Sequence, residues 1–586
     1  MKFRGAQKSA IKTVNLAGGE AYKETTKLEL VSLLLTSFVQ DKFYEKAEDQ
    51  LARLRALVGG IADKEFVAKA AIYARNEFGM RSITHALIGE LVKQVKGEVW
   101  MKSAVRQAVR RPDDMLEIAG YYISRYGRKG FPNSLKKGLR EAVGRFDAYQ
   151  LGKYRGEGSD FKMVDLFNLV RPDAGVCAGG YELQAKSDKA KTWKTIAFKP
   201  ADGKPEAKNH RLLSTALRAK IRLEKENPKN EYRIIRAGTE NGKRLVDFES
   251  DAKDVLFAKL MAGELKSTGT WETKLTAVGQ EASAVEDATE KAEALTEGKK
   301  AVWKELLTPD KHGRIKLGYF ALLRNLRNII EQAPDAVALA CKALVDEKQI
   351  RKSLVMPFRF MTALLEIHKL GGVGTRKVVE AIHEAVDIAV GNVPKFNGKT
   401  LVVLDTSSSM MSKGTTSNKN PMTPAQIGSL FAAALYRAND ADLMTFDSDS
   451  RFVSLHAKDS VLSIADRLMQ MSHGGSTNFP SIFARLKEKY DRVIILSDMQ
   501  GWDTNSGDGY FGGSSSPVQA FGEYKKRSGA SPHVFSFDLN GYGTLQFPEK
   551  QVYCLAGWSE KSLDVMKLLE EDRNALIHKI EAIKLN

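Results

Sequence analysis

The sequence predicts a mainly α-helical module followed by a doubly wound α/β domain, with a small β-containing insertion in the helical part. Apolar residues recur at three- and four-residue spacing from Lys27 to about Val170 and again from Asp251 to about Val390, as on helices that bury one face. The intervening stretch 174–250 has strand and turn patterns. After Pro394, short apolar strands alternate with helical runs, which is typical of a parallel, doubly wound sheet.

Short turns separate the helices of the first part, and each is marked by glycine or proline. They lie at Gly59-Gly60, Gly79, Gly97, Arg111-Pro112 and Phe131-Pro132. Short connections favour antiparallel neighbouring helices, so we expect a stack of helical pairs. The predicted domains are a helical module at 1–395 and an α/β domain at 396–586.

The insertion at about 174–250 combines one helix with a hairpin. Asn209 to Glu226 has the pattern of a basic helix, with Arg211, Arg218, Lys220, Arg222 and Lys225. Asn241-Gly242 lies between two strand-like runs, Glu231–Arg236 and Lys243–Phe248, which is a strong hairpin signal. We therefore predict a β-containing subdomain rather than another helical pair.

The α/β domain is predicted from short apolar strands and the helical runs between them. The expected strands are Thr400–Leu404, Ala441–Phe446, Arg451–Leu455, Arg492–Leu496, His533–Phe537 and Gln551–Leu555. The expected helices are Pro424–Ala438, Val461–Met471, Phe479–Lys489 and a last helix carrying Leu563 to Ile583.

Composition and charge narrow the class of partner. The 586 residues carry 90 Lys+Arg against 72 Asp+Glu and are 43% apolar, which excludes intrinsic disorder and a small disulfide-stapled scaffold. Residues 396–586 hold 20 Lys+Arg against 21 Asp+Glu, whereas residues 1–395 hold 70 against 51. The positive surplus therefore belongs to the helical module and favours nucleic acid as partner. A membrane surface would use the same charges, but no compact amphipathic basic helix dominates.

The expected compartment is the cytoplasm. Cys177, Cys341 and Cys554 are far apart and predict neither a disulfide framework nor a zinc knuckle. The first residues have no apolar signal region, and no run of about 18 apolar residues occurs, so we expect a soluble protein that does not insert in a membrane.

The most specific chemical pattern is an oxygen-rich set of side chains at predicted strand ends. Asp405, Ser407 and Ser409 follow the first strand, Thr477 lies in a later glycine-rich loop, and Asp498 follows the strand Arg492–Leu496. In an open parallel sheet these ends share one edge, and oxygen ligands suit a hard divalent cation. The alternative is a helix N-cap loop at Asp405–Ser409, but capping explains neither Thr477 nor Asp498.

No catalytic constellation accompanies this pattern. The chain offers no Ser-His-Asp set, phosphate-binding glycine loop or CxxC pair with suitable spacing, and a metal nuclease usually needs a richer carboxylate cluster. We expect a binding protein rather than an enzyme.

The oxygen-rich set resembles the metal-ion-dependent adhesion site of von Willebrand A domains. That pattern is Asp-x-Ser-x-Ser followed by a distant Thr and a distant Asp, and all five positions match in order. The resemblance implies that Asp405, Ser407, Ser409, Thr477 and Asp498 hold a divalent cation directly or through water. Mg²⁺ is the first expectation, with Mn²⁺ or Ca²⁺ as alternatives.

The first 395 residues resemble the TROVE module of the Ro autoantigen family, known from animals and some bacteria. The carrying segments are Leu317 to Asn328, which contains ALLRNLRN, Thr270 to Gly279, which begins TWE, and Lys136 to Pro172. The resemblance implies irregular HEAT-like repeats bent into a ring that a von Willebrand A domain closes. It leaves open whether the source is bacterial or a phage.

The same resemblance implies RNA partners. Family members bind single-stranded ends of misfolded or damaged RNA in the central hole and small Y RNAs on the outer surface, and bacterial members resemble adaptors for an exoribonuclease such as polynucleotide phosphorylase. A monomeric ring is expected, and the insertion could support a higher assembly. The candidate RNA-binding cations are Arg75, Arg81, Arg106, Arg110, Arg111, Arg125, Arg128, Lys129, Lys136, Lys137, Arg140, Arg145, Lys153 and Arg155.

Two departures and one alternative qualify these expectations. The insertion is foreign to the family pattern, and a histidine of the family's Y-RNA face is replaced near Phe161, which puts the usual Y-RNA recognition in doubt. Tyr121, Tyr122 and Tyr126 lie among the cations and could stack bases or pack in the core. The alternative function is a metal-dependent protein-interaction scaffold, in which an acidic partner residue completes the cation shell.

Overall fold

The computed structural model describes most of the chain, and the structural statements below concern these residues. They are 11–14, 20–23, 26–36, 47–156, 160–173, 180–190, 192–197, 209–239, 242–265, 270–357, 359–371, 373–412, 422–456, 458–501, 516–540, 551–556, 560–571 and 575–586. Cys177 and the predicted turn residue Asn241 lie outside them. The chain divides into two compact units, 1–83 with 274–584 and 84–273 with 585–586.

The first unit begins with a hairpin that the sequence pattern did not reveal, followed by helices. The elements are β1 (Ile11–Val14), antiparallel to β2 (Glu20–Lys23), then α1 (Thr26–Thr36), α2 (Ala47–Gly60) and α3 (Lys64–Glu77). Asp63 caps α3 by accepting the main-chain N–H of Phe66 at 3.0 Å. Lys27 of α1 contacts both Asp63 and Glu581, each at 2.8 Å, so early helices pack beside the end of the chain.

The second unit opens with the predicted run of short helices. They are α4 (Ser82–Gln94), which begins at the boundary of the unit, α5 (Trp100–Ala108), α6 (Pro112–Tyr126), α7 (Asn133–Val143), α8 (Ala148–Lys153) and α9 (Met163–Val170). Pro112 at the first position of α6 and Asp147 at the N-cap of α8 place two of the helix starts where the sequence indicates them.

Helices α5 and α7 approach so closely that only glycine fits at position 138. A Cβ added there would lie 2.6 Å from the main-chain oxygen of Lys102 and 2.6 Å from Cβ of Val105. We expect Gly138→Ala to lower the free energy of unfolding by about 1–3 kcal/mol through overpacking. Urea unfolding measures the loss. Gly120→Ala in α6 is the matched control, because a Cβ there meets nothing within 4 Å; a similar loss in both variants would contradict the packing explanation.

A buried histidine makes the stability of the second unit depend on pH. Nδ1 of His85 lies 2.7 Å from Oε2 of Glu117, and Nε2 lies 3.2 Å from Oδ1 of the fully buried Asp114. Burial alone would lower the pKa of His85, but hydrogen bonds to Asp114 and Glu117 raise it above its ordinary value. Between about pH 6.5 and this raised pKa, His85 is therefore protonated in the folded protein and mostly deprotonated in the unfolded chain.

We expect the stability advantage of the wild type over His85→Gln to be full below about pH 6.5. The advantage should shrink as the pH rises through the raised pKa of folded His85, because the unfolded state then binds fewer protons than the folded state. Urea unfolding of both proteins at pH 6 and pH 9 measures the change. An advantage that stays constant or grows with pH would refute the prediction.

The insertion forms a four-stranded antiparallel sheet with helices packed on one side. Its elements are β3 (Tyr181–Lys186), β4 (Lys194–Ala197), α10 (Asn209–Glu226), β5 (Glu231–Thr239) and β6 (Gly242–Leu245), followed by α11 (Lys253–Ala262). The strand order is β4-β3-β5-β6. The predicted hairpin is the β5–β6 pair and the predicted basic helix is α10, whereas β3 and β4 were not predicted.

The helical pattern resumes as the chain returns to the first unit. The elements are α12 (Trp271–Ser283), α13 (Ala288–Leu307), α14 (Tyr319–Gln332), α15 (Val337–Leu344), α16 (Glu347–Ser353), α17 (Arg359–His368) and α18 (Val373–Ala389), with 3-10 turns at Pro334–Ala336 and Val390–Asn392. Trp303 is fully buried in α13 and donates its indole N–H to Oε1 of Gln332 at 2.9 Å.

The α/β domain is a six-stranded sheet with the strand order β12-β11-β10-β7-β8-β9. Its elements are β7 (Thr400–Asp405), α19 (Ser408–Met411), α20 (Pro424–Ala438), β8 (Ala441–Phe446), β9 (Ser450–Val453), α21 (Val461–Gln470), α22 (Phe479–Arg485), β10 (Arg492–Ser497), α23 (Pro517–Ser528), β11 (His533–Asp538), β12 (Val552–Ala556), α24 (Glu560–Glu571) and α25 (Ala575–Glu581). β7 and β10 are buried along their whole length, as expected for central strands covered on both faces.

Three details of this domain differ from the prediction. The single last helix expected from Leu563 to Ile583 is two helices, α24 and α25. β9 is antiparallel to β8, because three residues connect them and a parallel crossover needs a dozen or more. α22 ends at Arg485 rather than continuing to Lys489, and Arg527 donates to the main-chain oxygens of Phe483 and Leu486 near that end. A neighbouring helix thus satisfies carbonyls that further helical turns would have used.

Among the helices of the described residues, none is both long enough and apolar enough to span a membrane.

Candidate functional sites

The carboxyl ends of four neighbouring strands bring polar side chains to one edge of the α/β sheet. β11, β10, β7 and β8 are adjacent, and each ends in or is directly followed by an aspartate. These are Asp538, Asp498, Asp405 and Asp447, and each is at most 2% exposed. An edge of this kind is the usual ligand site of a doubly wound sheet.

Asp405 is held by the loop that follows it and by the adjacent strand. Its Oδ1 accepts the main-chain N–H of Ser407 at 2.8 Å, and its Oδ2 accepts the hydroxyl of Ser497 at 2.5 Å. The hydroxyl oxygens of Ser407 and Ser409 lie 3.3 Å apart. Burial raises the pKa of Asp405 to about 6, against the lowering effect of the serine hydrogen bonds.

Asp498 carries a buried oxygen without a partner. Its Oδ2 is inaccessible to solvent and makes no hydrogen bond with the described residues. Burial, and next the charge of Asp405, raise the pKa of Asp498 to about 8, although the Ser409 hydroxyl pulls it down. Two adjacent buried carboxylates and one orphaned oxygen form the environment that a cation would stabilise.

The loop carrying Thr477 is bonded to both neighbouring loops. The main-chain N–H of Ser408 donates to the oxygen of Gly475 at 3.0 Å, and the N–H of Asn478 donates to the main-chain oxygen of Asp447 at 2.9 Å. Thr477 itself is 3% exposed. The structure therefore brings Asp405, Ser407, Ser409 and Asp498 together and places Thr477 in a loop fixed against them.

Three contributors to this edge were missing from the predicted ligand set. They are Ser497, which bonds Asp405, and the flanking carboxylates Asp447 and Asp538. Their position at the ends of predicted strands is a signal that could have identified the two aspartates. In the described part of the chain no three His, Cys, Asp or Glu side chains are arranged to hold a metal, so a cation here would depend on hydroxyl ligands as well.

The backbone beside Asp498 is strained. Met499 is fully buried and has a φ of 59°, in the left-handed region that side chains other than glycine rarely adopt. Its N–H donates to the hydroxyl of Ser497 at 2.9 Å, which helps to hold this conformation. Strain of this kind concentrates where the surrounding structure fixes a functional geometry.

A second candidate site is a basic segment, residues 100–155, in the second unit. It carries 13 Lys+Arg against 5 Asp+Glu and contains all the predicted RNA-binding cations except Arg75 and Arg81. The unit as a whole, residues 84–273, holds 37 Lys+Arg against 25 Asp+Glu, which is most of the surplus of the chain.

The predicted cations fall into three groups by their surroundings. Arg75 is only 6% exposed and is therefore the least available to a phosphate, while Arg81 is partly buried. Several others bond main-chain oxygens or carboxylates of their own unit: Arg106, Arg111, Arg140, Arg145, Lys153 and Arg155. The remaining cations take part in no ion pair among the described residues: Arg110, Arg125, Arg128, Lys129, Lys136 and Lys137.

Like charges accumulate where α5 and α7 end. Arg145 donates to the main-chain oxygens of Arg106 and Val109, both at 2.7 Å, and so covers the end of α5. Burial lowers the pKa of Arg145, and the charges of Arg106 and Arg110 lower it further. A group of guanidinium charges this close together favours an anion at the surface.

The tyrosines of α6 contact side chains of their own unit. Tyr121 and Tyr126 both donate their hydroxyls to Glu90, and Tyr122 is 3% exposed with its ring edge-on to Phe131 at 5.3 Å. Cations lie over several rings of this segment: Arg111 is 4.6 Å from the centroid of Tyr154, and Lys93 is 5.0 Å from the centroid of Tyr126.

The fold defines a class: a helical module joined to a doubly wound α/β domain. Within that class the chain belongs to the TROVE family, because the TROVE domain matches residues 22–411. The match spans two thirds of the chain and confirms the resemblance to the Ro family drawn from the sequence.

Two of the relatives that the chain resembles align with parts of it. Telomerase protein component 1 of Mus musculus is 25% identical over 362 residues, which cover 59% of this chain and 13% of that protein. RNA-binding protein RO60 of Deinococcus radiodurans is 25% identical over 234 residues, which cover 37% of this chain and 42% of that protein. The chain thus spans less than half of each of these relatives.

A solved structure shares the fold over nearly the full length. The crystal structure of the Deinococcus radiodurans RO (RSR) protein matches with a TM-score of 0.55 and 16% identity, covering 92% of this chain and 98% of that chain. This likeness confirms the predicted fold class, a helical-repeat module with a doubly wound α/β domain.

Proposed function

We propose that this protein binds RNA and that the basic segment 100–155 is a contact surface. The observation that carries the proposal is the excess of cations in this segment, several of them exposed and outside any ion pair with described residues. Such cations gain free energy by releasing counterions from phosphates. Membership of the TROVE family supports the same partner, since the relative from Deinococcus radiodurans is itself an RNA-binding protein.

The finer part of the proposal follows the Ro family. Single-stranded ends of misfolded or damaged RNA occupy a central hole of the helical module, and a small structured Y-like RNA occupies the outer basic surface. The protein then acts without catalysis, as an adaptor that delivers RNA to an exoribonuclease such as polynucleotide phosphorylase. The basic segment supports this proposal because its cations can contact phosphates.

Fluorescence anisotropy with three labelled probes tests the proposal. The probes are a 20-nucleotide single-stranded RNA, a blunt RNA duplex, and the same duplex with a single-stranded 3′ tail. We expect the single strand and the tailed duplex to bind more tightly than the blunt duplex, with affinities that fall steeply as salt is raised. Equal binding of the blunt duplex would refute end recognition, and binding insensitive to salt would refute the phosphate contacts.

We also propose a second function, metal-dependent capture of a protein partner at the sheet edge. Asp405, Ser407, Ser409, Thr477 and Asp498 would hold one divalent cation, with Mg²⁺ first and Mn²⁺ or Ca²⁺ as alternatives. The orphaned Oδ2 of Asp498 and its buried carboxylate neighbour support a cation there, because hard cations prefer oxygen ligands. A carboxylate of the partner protein would then complete the coordination shell of this cation.

Substitution of Asp405 distinguishes the RNA-binding function from the metal-dependent function. We expect Asp405→Ala to abolish Mn²⁺ binding measured by electron paramagnetic resonance and to leave the affinity for the single-stranded RNA probe unchanged. Circular dichroism checks that the variant is folded. Loss of RNA binding in the folded variant would instead assign the sheet edge to the RNA site.

A further inference from the structure

One face of the insertion sheet packs in the core of its unit. The opposite face, called the outer face below, carries polar side chains. Tyr181, Leu183 and Ile234 are at most 1% exposed and pack against Leu213 and Leu217 of α10. Because side chains alternate along a strand, the residues between them project from the opposite face. The outer face is polar near its middle, and its residues do not belong to the basic segment 100–155.

A chain of hydrogen bonds links all four strands on the outer face. Lys243 Nζ donates to Oε2 of Glu182 at 2.8 Å, and the Thr195 hydroxyl donates to the same oxygen at 3.2 Å. Gln184 Nε2 donates to the Thr195 hydroxyl at 3.4 Å, and Arg233 Nε donates to Oε1 of Gln184 at 3.0 Å. This arrangement fixes the guanidinium of Arg233 in one orientation.

The fixed guanidinium lies over an indole ring. Cζ of Arg233 is 4.1 Å from the ring centroid of Trp193, and Nζ of Lys186 is 6.0 Å from the same ring. Trp193 is only partly buried, and Arg233 makes no ion pair with the described carboxylates. A planar cation held against a partly exposed indole is a surface on which a nucleobase can stack.

The charge around this pair suits a phosphate backbone. Residues 174–250 carry 17 Lys+Arg against 10 Asp+Glu. Lys186 and Lys243 lie on the outer face, and their side chains are 31% and 56% exposed although they bond Glu231 and Glu182. These two lysines thus flank the Trp193–Arg233 pair on the same face of the sheet.

We propose that the outer face of the insertion sheet, centred on the Trp193–Arg233 pair, is a second contact site for single-stranded RNA. A base stacks on the indole–guanidinium pair, and the flanking lysines contact the phosphates. Single strands fit this site better than duplexes, because only an unpaired base exposes its face for stacking. This goes beyond the RNA surface proposed at residues 100–155 and depends on different residues.

Photocrosslinking of the full-length protein with an oligouridylate 12-mer carrying 5-iodouridine tests the site directly. We expect a crosslink at Trp193, identified by mass spectrometry. We also expect Trp193→Ala to weaken binding of the unmodified 12-mer by about tenfold, as loss of one stacked base predicts. Trp193→Phe should restore most of the affinity, because an aromatic face is retained, whereas a merely structural role would not show this recovery together with a crosslink.

Leu245→Ala is the matched control, since Leu245 is 64% exposed on the same sheet and offers no aromatic face. It should bind the 12-mer as the wild type does. Thermal unfolding shows whether Trp193→Ala is folded, and Arg233→Gln provides a second variant expected to weaken binding. Absence of a crosslink within 180–250, with unchanged affinity in both variants, would overturn the proposal. A crosslink confined to 100–155 would overturn it while leaving the proposed function intact.

Discussion

Asp498→Asn is expected to remove the stabilisation that a divalent cation gives while leaving the metal-free protein at least as stable as the wild type. In the absence of metal, Asp498 and Asp405 place two carboxyl groups in a buried site, and Oδ2 of Asp498 makes no hydrogen bond with the described residues. Replacing Asp498 by a neutral amide removes the cost of ionising this group, which burial and the charge of Asp405 make unfavourable. It also removes a ligand that a cation needs, so the two effects have opposite signs.

Differential scanning calorimetry with and without Mg²⁺ or Mn²⁺ measures both effects. A cation present at 100 times its Kd stabilises the wild type by about 2.7 kcal/mol, and this increment should vanish in Asp498→Asn. Asp459→Asn is a suitable control, because that carboxylate pairs with Arg467 at 3.0 Å and does not belong to the sheet edge. It should keep the full metal response.

Two results would contradict this expectation. A metal response of wild-type size in Asp498→Asn would show that the cation, if bound, does not use this carboxylate. A marked loss of stability in the metal-free variant would show that Asp498 supports the fold through its hydrogen bond from the N–H of Gln500, which spans 3.3 Å.

Removing four cations of the basic segment is expected to weaken binding of the tailed RNA duplex by about 100-fold at 0.1 M salt. The variant replaces Arg110, Arg128, Lys129 and Lys137 with glutamine. All four are exposed and none forms an ion pair with a described residue, so their loss should not disturb the fold. Each phosphate contact contributes about 0.7 to the dependence of log K on log salt concentration, so the slope should fall by about 3.

A control variant removes the same charge from the first unit. Arg314, Arg351, Lys369 and Arg376 are each more than half exposed, and each pairs with a carboxylate three or four positions away on the chain. Replacing them with glutamine should change affinity and slope little. If both variants lose affinity equally, binding follows the total charge rather than this surface, and the assignment of the segment is wrong.

Much of the α/β domain could be predicted because its signals are local. Apolar strands bounded by polar loops placed β8 at its observed residues, and the helical run expected at Pro424–Ala438 is α20. The orientation of β9 and the early end of α22 were missed. Both depend on connections and neighbouring helices that a single stretch of sequence does not encode.

The candidate sites, too, could be predicted only in part from the sequence. The order Asp405, Ser407, Ser409, Thr477, Asp498 could be recognised from spacing, but the bond from Ser497 to Asp405 follows only from which strands are neighbours. In the basic segment, sequence cannot separate an arginine that bonds a helix end, such as Arg145, from one that faces solvent, such as Arg110. Exposure is a property of the packed chain.

The contacts of Asp387 bear on how the protein can be cut into fragments. This residue of α18 accepts the N–H of Val461 at the start of α21 at 3.1 Å and lies 3.5 Å from Arg437 of α20. Expression of residues 396–586 alone would therefore remove a cap from one helix of the sheet domain and leave the guanidinium of Arg437 without its carboxylate. A fragment that begins before α18 keeps these contacts and is the better starting point for isolated biochemistry of the metal edge.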